Sequence, residues 1–175
     1  MSALVEVIAG TGGFSRGYAE LLARGIEGSI AARKPVNQTG ALVDTNHPVF
    51  VFGHLGLYPA RVVSLLGGDS SSLRPPEGWE GLFKAGVACV DDREGAKYPA
   101  WNAVTEHFFR ATEAALQVVR ATPDNGVCIP HPDEKARQRF PTIAHMLNFY
   151  LTGHVMMHLG QVSAWRRCFG LPSAM

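Results

Sequence analysis

An all-α fold, a bundle of four long helices forming one domain over residues 1–175, is predicted by three observations. Four stretches carry apolar residues at helical spacing, no convincing run alternates as a strand does, and no repeat of solenoid period is present. Long helices joined by short-to-medium links bury their apolar stripes best against one another, as a bundle. The 175 residues suffice for one good core, and 46% apolar with 18% charged content excludes a disordered chain.

The first helix is expected over Ala3–Ala31, with Leu4, Ile8, Tyr18, Leu21 and Leu22 near helical spacing. Gly10, Gly12, Gly13 and Gly17 each weaken it by about 1 kcal/mol relative to alanine. The Gly-Thr-Gly-Gly stretch is not a phosphate loop, because no Gly-Lys-Ser/Thr follows and no clear strand precedes it. It reads as a helix face that lets a neighbouring helix come close. Pro35 and Gly40 then break the chain. The second helix is expected from Pro48, which suits a first helical position, to Leu66, before Gly67-Gly68. Pro59 inside it predicts a kink.

A long connection, Asp69 to Pro99, separates the second and third helices, with Trp79, Leu82 and Phe83 predicting a short helical turn packed on the body. A link of this length in a small domain is usually a lid, a site wall or a partner surface. The third helix is expected over Ala100–Ala121, burying Val104, Phe108, Ala111, Ala115 and Val119. The fourth is expected over Thr142–Phe169, stopped by Gly170 with Pro172 beyond.

A net charge of +1 gives no electrostatic reason for a nucleic-acid partner. No apolar run reaches the ~20 residues that span a bilayer, and the N-terminus lacks the basic region of a secretion signal. The expectation is a soluble cytoplasmic protein with no membrane partner. Cys89, Cys128 and Cys168 form no Cys-x-x-Cys pair, so they are expected to be reduced, partly buried thiols.

The chemistry lies on the fourth helix. Steps of three and four along it give Ala144, Leu147, Leu151, His154, His158, Gln161 and Trp165, a seam of the kind that faces a bundle core. His154 and His158 therefore interrupt a buried face. Buried imidazoles must be satisfied, and two of them one turn apart, about 6 Å along the axis, can reach one ion. The alternative is a hydrogen-bonded core pair. A metal would need a third ligand from a facing helix, and His54 lies on an apolar face of the second helix among Val51, Leu57 and Tyr58. Three histidines would leave a position open, as catalytic or substrate-binding metal sites do. The remaining histidines are expected in surface or capping roles: His47 at a helix start, His107 beside its helix's seam, His131 in a proline-rich loop and His145 off the seam. The sequence His-Val-Met-Met-His lacks the glutamate of a zincin peptidase, and no Gly-x-Ser-x-Gly elbow is present.

Gly53-His54 on the second helix, with His154, His158, Gly160, Gln161, Arg166, Arg167, Gly170, Leu171 and Pro172 at the C-terminus, resembles the DinB-like (DinB/YfiT) superfamily. The helix order fits along nearly the whole chain, and the C-terminal motif is the specific part. The resemblance implies a four-helix bundle, often a homodimer, with His54, His154 and His158 holding a divalent metal. Zinc or nickel is the usual ion, manganese or iron an occasional one. It further implies, for some members, thiol-dependent transferase or isomerase activity with mycothiol, bacillithiol or glutathione.

Two functions of different class follow as expectations. In the first, a metal-bound low-molecular-weight thiolate attacks a small electrophile. Gln161 would orient a histidine or ligand, Tyr150 and Tyr58 would line the pocket, and Arg61 would either bind a substrate carboxylate or phosphate or stand as a solvated helix charge. In the second, the protein is a non-catalytic metal-binding stress-response or scaffold dimer.

Overall fold

The glycine-rich N-terminal stretch does form a helix. In the computed structural model, which describes residues 3–174, α1 runs Ala3–Ala23 and buries Val5, Ile8, Gly12, Ser15, Ala19 and Leu22 along one stripe, while Leu4 is exposed. Gly12 is required by close approach: a Cβ there would lie 2.7 Å from Leu116 Cδ2 and 3.2 Å from Leu151 Cβ. The single helix expected over Ala3–Ala31 is two helices. Gly25, at φ +73°, turns the chain, and α2 covers only Gly28–Ala31. The Arg166 guanidinium takes up the carbonyls freed at this end, donating to Leu22 O at 2.8 Å and Arg24 O at 2.6 Å.

The second expected helix is also divided. α3 runs Pro48–Leu55, with every residue buried, and α4 runs Tyr58–Leu65. Pro59 has no N–H to offer Leu55, so the helix stops and restarts with Pro59 in the first turn of α4, where the missing donor costs nothing. Gly56 N–H and Leu57 N–H bond back to Phe52 O and His54 O at 2.9 and 3.2 Å. His107 donates from Nε2 to Gly56 O at 3.1 Å, satisfying a carbonyl at the break. Gly67, at φ +75°, ends α4.

The long connection holds a 3-10 turn, Ser71–Leu73, and a short helix, α5, Trp79–Phe83, with both aromatic ends buried as the sequence predicts. Next come α6 (Trp101–Ala121) and the short helices α7 (Asp124–Val127) and α8 (Glu134–Arg137). The C-terminal rod is continuous but not uniform: α9 (Ile143–Asn148) passes through a π-helical turn, Phe149–Gly153, into α10 (His154–Cys168).

Among the described residues there is no strand, only the isolated bridges Val36–Leu42 and Pro130–Thr142, so the fold is all-α. α1, α3 and α4 pack on α6, and α10 packs on both α1 and α3. Phe52 fixes the α3–α6 contact, edge-to-face with Trp101 and Phe108 at 5.1 Å each. Burying a side chain of this size contributes about 1.5–3 kcal/mol. Cys89 is buried, but Cys128 and Cys168 are exposed rather than partly buried.

Candidate metal centre

α3 presents His54 and α10 presents His154 and His158, and because these helices face each other the rings meet. His54 and His154 are buried, and His158 is half-buried. The ring centroids of His54 lie 5.1 Å from His154 and 4.7 Å from His158. One nitrogen from each ring falls within 4.8 Å of the other two.

The free nitrogens are set by what the other nitrogens do. His54 Nδ1–H donates to Phe83 O at 2.7 Å, which leaves Nε2 as a lone pair. His158 Nδ1–H donates to Gln161 Oε1 at 3.1 Å, which also leaves Nε2 as a lone pair. Asn46 Nδ2–H holds the same Gln161 oxygen at 3.0 Å.

His54 Nε2 and His154 Nε2 are 3.1 Å apart. Two lone pairs at that distance repel unless positive charge sits between them. A proton on His154 Nε2 meets that need, and in that state, as with a cation on Nε2, the buried His154 Nδ1 has no hydrogen-bond partner among the described residues. A cation accepting from Nε2 removes the repulsion. Metal–nitrogen bonds of about 2.0–2.1 Å in a tetrahedron put ligand atoms roughly 3.3 Å apart, close to the 3.1 Å between these two nitrogens. The three histidines can therefore hold a metal ion, and they fit one by donor type as well as by spacing.

Electrostatics favour the ligand form of each ring. Burial lowers the pKa of His54 and His158, and burial with the two neighbouring imidazoles lowers that of His154 to about 3. The rings are thus neutral at pH 7. A cavity of about 470 Å³ opens beside them. Among the described residues its charged lining groups are Arg61 and Lys84, with no carboxylate.

Tyr58 and Tyr150 both line this cavity, their rings 4.8 Å apart. The Tyr58 hydroxyl is 3.4 Å from His54 Nε2, and burial raises its pKa, so it keeps its proton. Arg61 is half-exposed and paired with Glu80 at 3.1 Å, as a solvated helix charge would be, yet it stands 5.1 Å over the Tyr58 ring at the cavity wall. The π turn adds Phe149: His154 N–H bonds to Phe149 O, and the two rings, five residues apart, come within 5.3 Å.

The sequence predictions thus converge for His54, His154, His158, Gln161, Tyr58 and Tyr150. The other histidines divide. His47 caps α3 as expected, accepting from Phe50 N–H at Nδ1, but it is wholly buried and also bonds Val90 O at 3.1 Å. His145 is exposed and bonds Thr142 Oγ1. His107 and His131 are buried, not at the surface, each bonded to backbone. Sequence reasoning missed the Phe83 carbonyl, Asn46 and Lys84. One signal was available for the first: a Cβ at Gly53 would lie 2.6 Å from the Phe83 ring, so the glycine before His54 is what admits Phe83.

Comparison with known proteins returns no matching family model, and no match among curated proteins or solved structures.

Proposed function

We propose that the chain is a DinB-like four-helix bundle that binds a divalent metal, zinc or nickel, through His54, His154 and His158, and uses it to react a low-molecular-weight thiol with a small electrophile, as an S-transferase or isomerase. The observation that carries the metal half of this reading is the pair of Nε2 atoms held 3.1 Å apart, with the Phe83 carbonyl and Gln161 dictating which nitrogens of His54 and His158 are free. The thiol half rests on the resemblance of the histidine and glutamine motif, and on a cavity whose charged lining groups, among the described residues, are cationic. A homodimer in the cytoplasm belongs to the same reading.

When bound, the ion supplies Lewis acidity that favours a thiolate at neutral pH. Lys84 attracts an anionic ligand into the cavity, beside an Arg61 already paired with Glu80. Tyr58 keeps a proton beside the histidines, available to a developing negative charge. Phe50 and Phe149 supply apolar wall that limits water around the reacting atoms.

The test is thiol consumption by zinc- and nickel-loaded protein, with mycothiol, bacillithiol and glutathione against a panel of electrophiles. The expected outcome is turnover with one thiol, reduced about 100-fold or more in His154→Ala. Equal turnover in that variant would remove the proposed mechanism. Full metal occupancy with no turnover on any pair would favour the non-catalytic alternative.

A further inference from the structure

A second, larger cleft adjoins the histidine cavity. It encloses about 830 Å³ between α4, the segment 74–80 and the segment 131–136, and it shares Arg61 and Tyr150 with the inner cavity. The two spaces therefore meet across one wall. Their chemistry differs. The inner cavity has cations and no carboxylate, whereas the outer cleft carries both signs, with Arg61 and Arg74 facing Glu77 and Glu80.

The outer cleft also holds unspent donors. His131 is only 5% exposed and lines the cleft. Its Nδ1 accepts from Asp133 N–H at 3.1 Å, so the ring proton is on Nε2, for which no described residue serves as acceptor. Ser64 and Ser70 share one hydrogen bond at 2.8 Å, so one of their two hydroxyl protons remains for another acceptor. Arg74 is exposed at the cleft, where its charge helps hold the Asp69 carboxyl below its usual pKa. Arg74 and Ser64 are exposed, whereas His131 and Ser70 are buried, so the donors run from the rim of the cleft to its wall, and a carboxylate is the ligand chemistry that such donors receive. Glu77, exposed beside them, suits an ammonium.

We propose that this outer cleft is a binding site for a zwitterionic amino-acid group: the carboxylate is received by Arg74, His131 Nε2–H and the Ser64–Ser70 hydroxyl pair, and the ammonium by Glu77, Glu80 being held by Arg61 at 3.1 Å. The shared Arg61–Tyr150 boundary makes the ligand of this proposal an extended molecule that crosses it, with an anionic head at the histidines and an amino-acid tail in the cleft. The head half of this inference rests on the metal reading above. The tail half does not.

Three probes of equal chain length separate the halves: octanohydroxamate, which has only a metal-seeking head; 2-aminooctanoate, which has only the amino-acid end; and the ω-hydroxamate of 2-aminosuberate, which has both. Binding is measured by titration calorimetry on zinc-loaded and metal-free protein, in the wild type, Arg74→Gln and His131→Asn. Arg74 is exposed, and asparagine keeps an acceptor where His131 Nδ1 sits, so both variants should fold. 2-Aminooctanoate is expected to bind both forms alike and to weaken at least about fivefold in each variant. Octanohydroxamate is expected to need zinc and to ignore both substitutions. The double-ended probe should bind the zinc form at least about tenfold more tightly than either parent, as linked ligands do.

No saturable binding of 2-aminooctanoate, or equal binding by wild type and both variants, overturns the amino-acid site. A double-ended probe no tighter than its parents overturns the connection of the two chambers. Silence of the hydroxamate, with 2-aminooctanoate still bound, sinks the metal reading and leaves the amino-acid site standing.

Discussion

Gln161 touches no metal, yet it decides which nitrogen of His158 is available. Its Oε1 takes the His158 Nδ1 proton at 3.1 Å and is itself held by Asn46 at 3.0 Å. In Gln161→Ala, His158 can adopt the tautomer with its proton on Nε2, the nitrogen needed for coordination. The side chain is half-buried, so little packing is lost with it. The expected result is a metal affinity reduced about 10–100-fold, with a melting temperature of the metal-free protein close to wild type. Competition with a metal-binding dye reads the first and circular dichroism the second. The Phe83 carbonyl plays the same part for His54, but as backbone it cannot be deleted, only displaced, and Gly53 is the residue that keeps it close.

At the scale of elements, departures from regular helix frame the site. Pro59 ends α3 just after His54 and starts α4 so that Tyr58 turns towards the histidines. The π turn brings Phe149 against His154 on the opposite side. The triad itself was legible because His154 and His158 share a helical face and His54 lies on the apolar helix opposite. The break after Leu55 reads in the sequence only as a kink, since a proline inside a helix can bend it or divide it. The π turn has no sequence marker of its own. His107, expected at the surface, is buried because its role is to bond Gly56 O at a break the periodicity does not place. Arg166 is the clearest case of a motif residue whose role is structural. It is 5% exposed and donates to Leu22 O, Arg24 O and Pro172 O, tying α1's end to α10. Arg166→Met keeps much of the volume and strands those carbonyls, so a loss of about 2–4 kcal/mol in urea unfolding is expected.

For the whole molecule, the buried histidines set how stability responds to acid. His47 is fully buried, and burial pushes its pKa down to about 4, whereas in the unfolded chain it titrates near 6.5. Between these values the unfolded state binds the extra proton, so stability falls as pH drops from about 6.5 to about 4, by up to about 1.4 kcal/mol per pH unit from this group. Below that window His47 adds no further loss, and above pH 6.5 it adds no dependence. Burial lowers His107 in the same direction. Urea melts of metal-free protein at pH 7 and pH 5 should show the fall, and His47→Asn, which keeps a cap acceptor for Phe50 N–H, should shrink it. A bound ion adds stability by mass action, about 2.7 kcal/mol at a free concentration one hundred times Kd.

The metal reading stands on the three imidazoles, and its most direct measurement is their metal content. Protein purified without an affinity tag or chelator, beside the His154→Ala/His158→Ala double variant, should be assayed by elemental mass spectrometry before and after incubation with zinc and nickel. Close to one zinc or nickel per chain is expected in the wild type, with loss of that ion in the variant while the helical content is kept. A wild type that takes up neither ion, or a variant that retains the same ion at the same ratio, would overturn the metal centre: the 3.1 Å contact between His54 and His154 would then be a proton-sharing core pair, and His158 a polar neighbour held by Gln161.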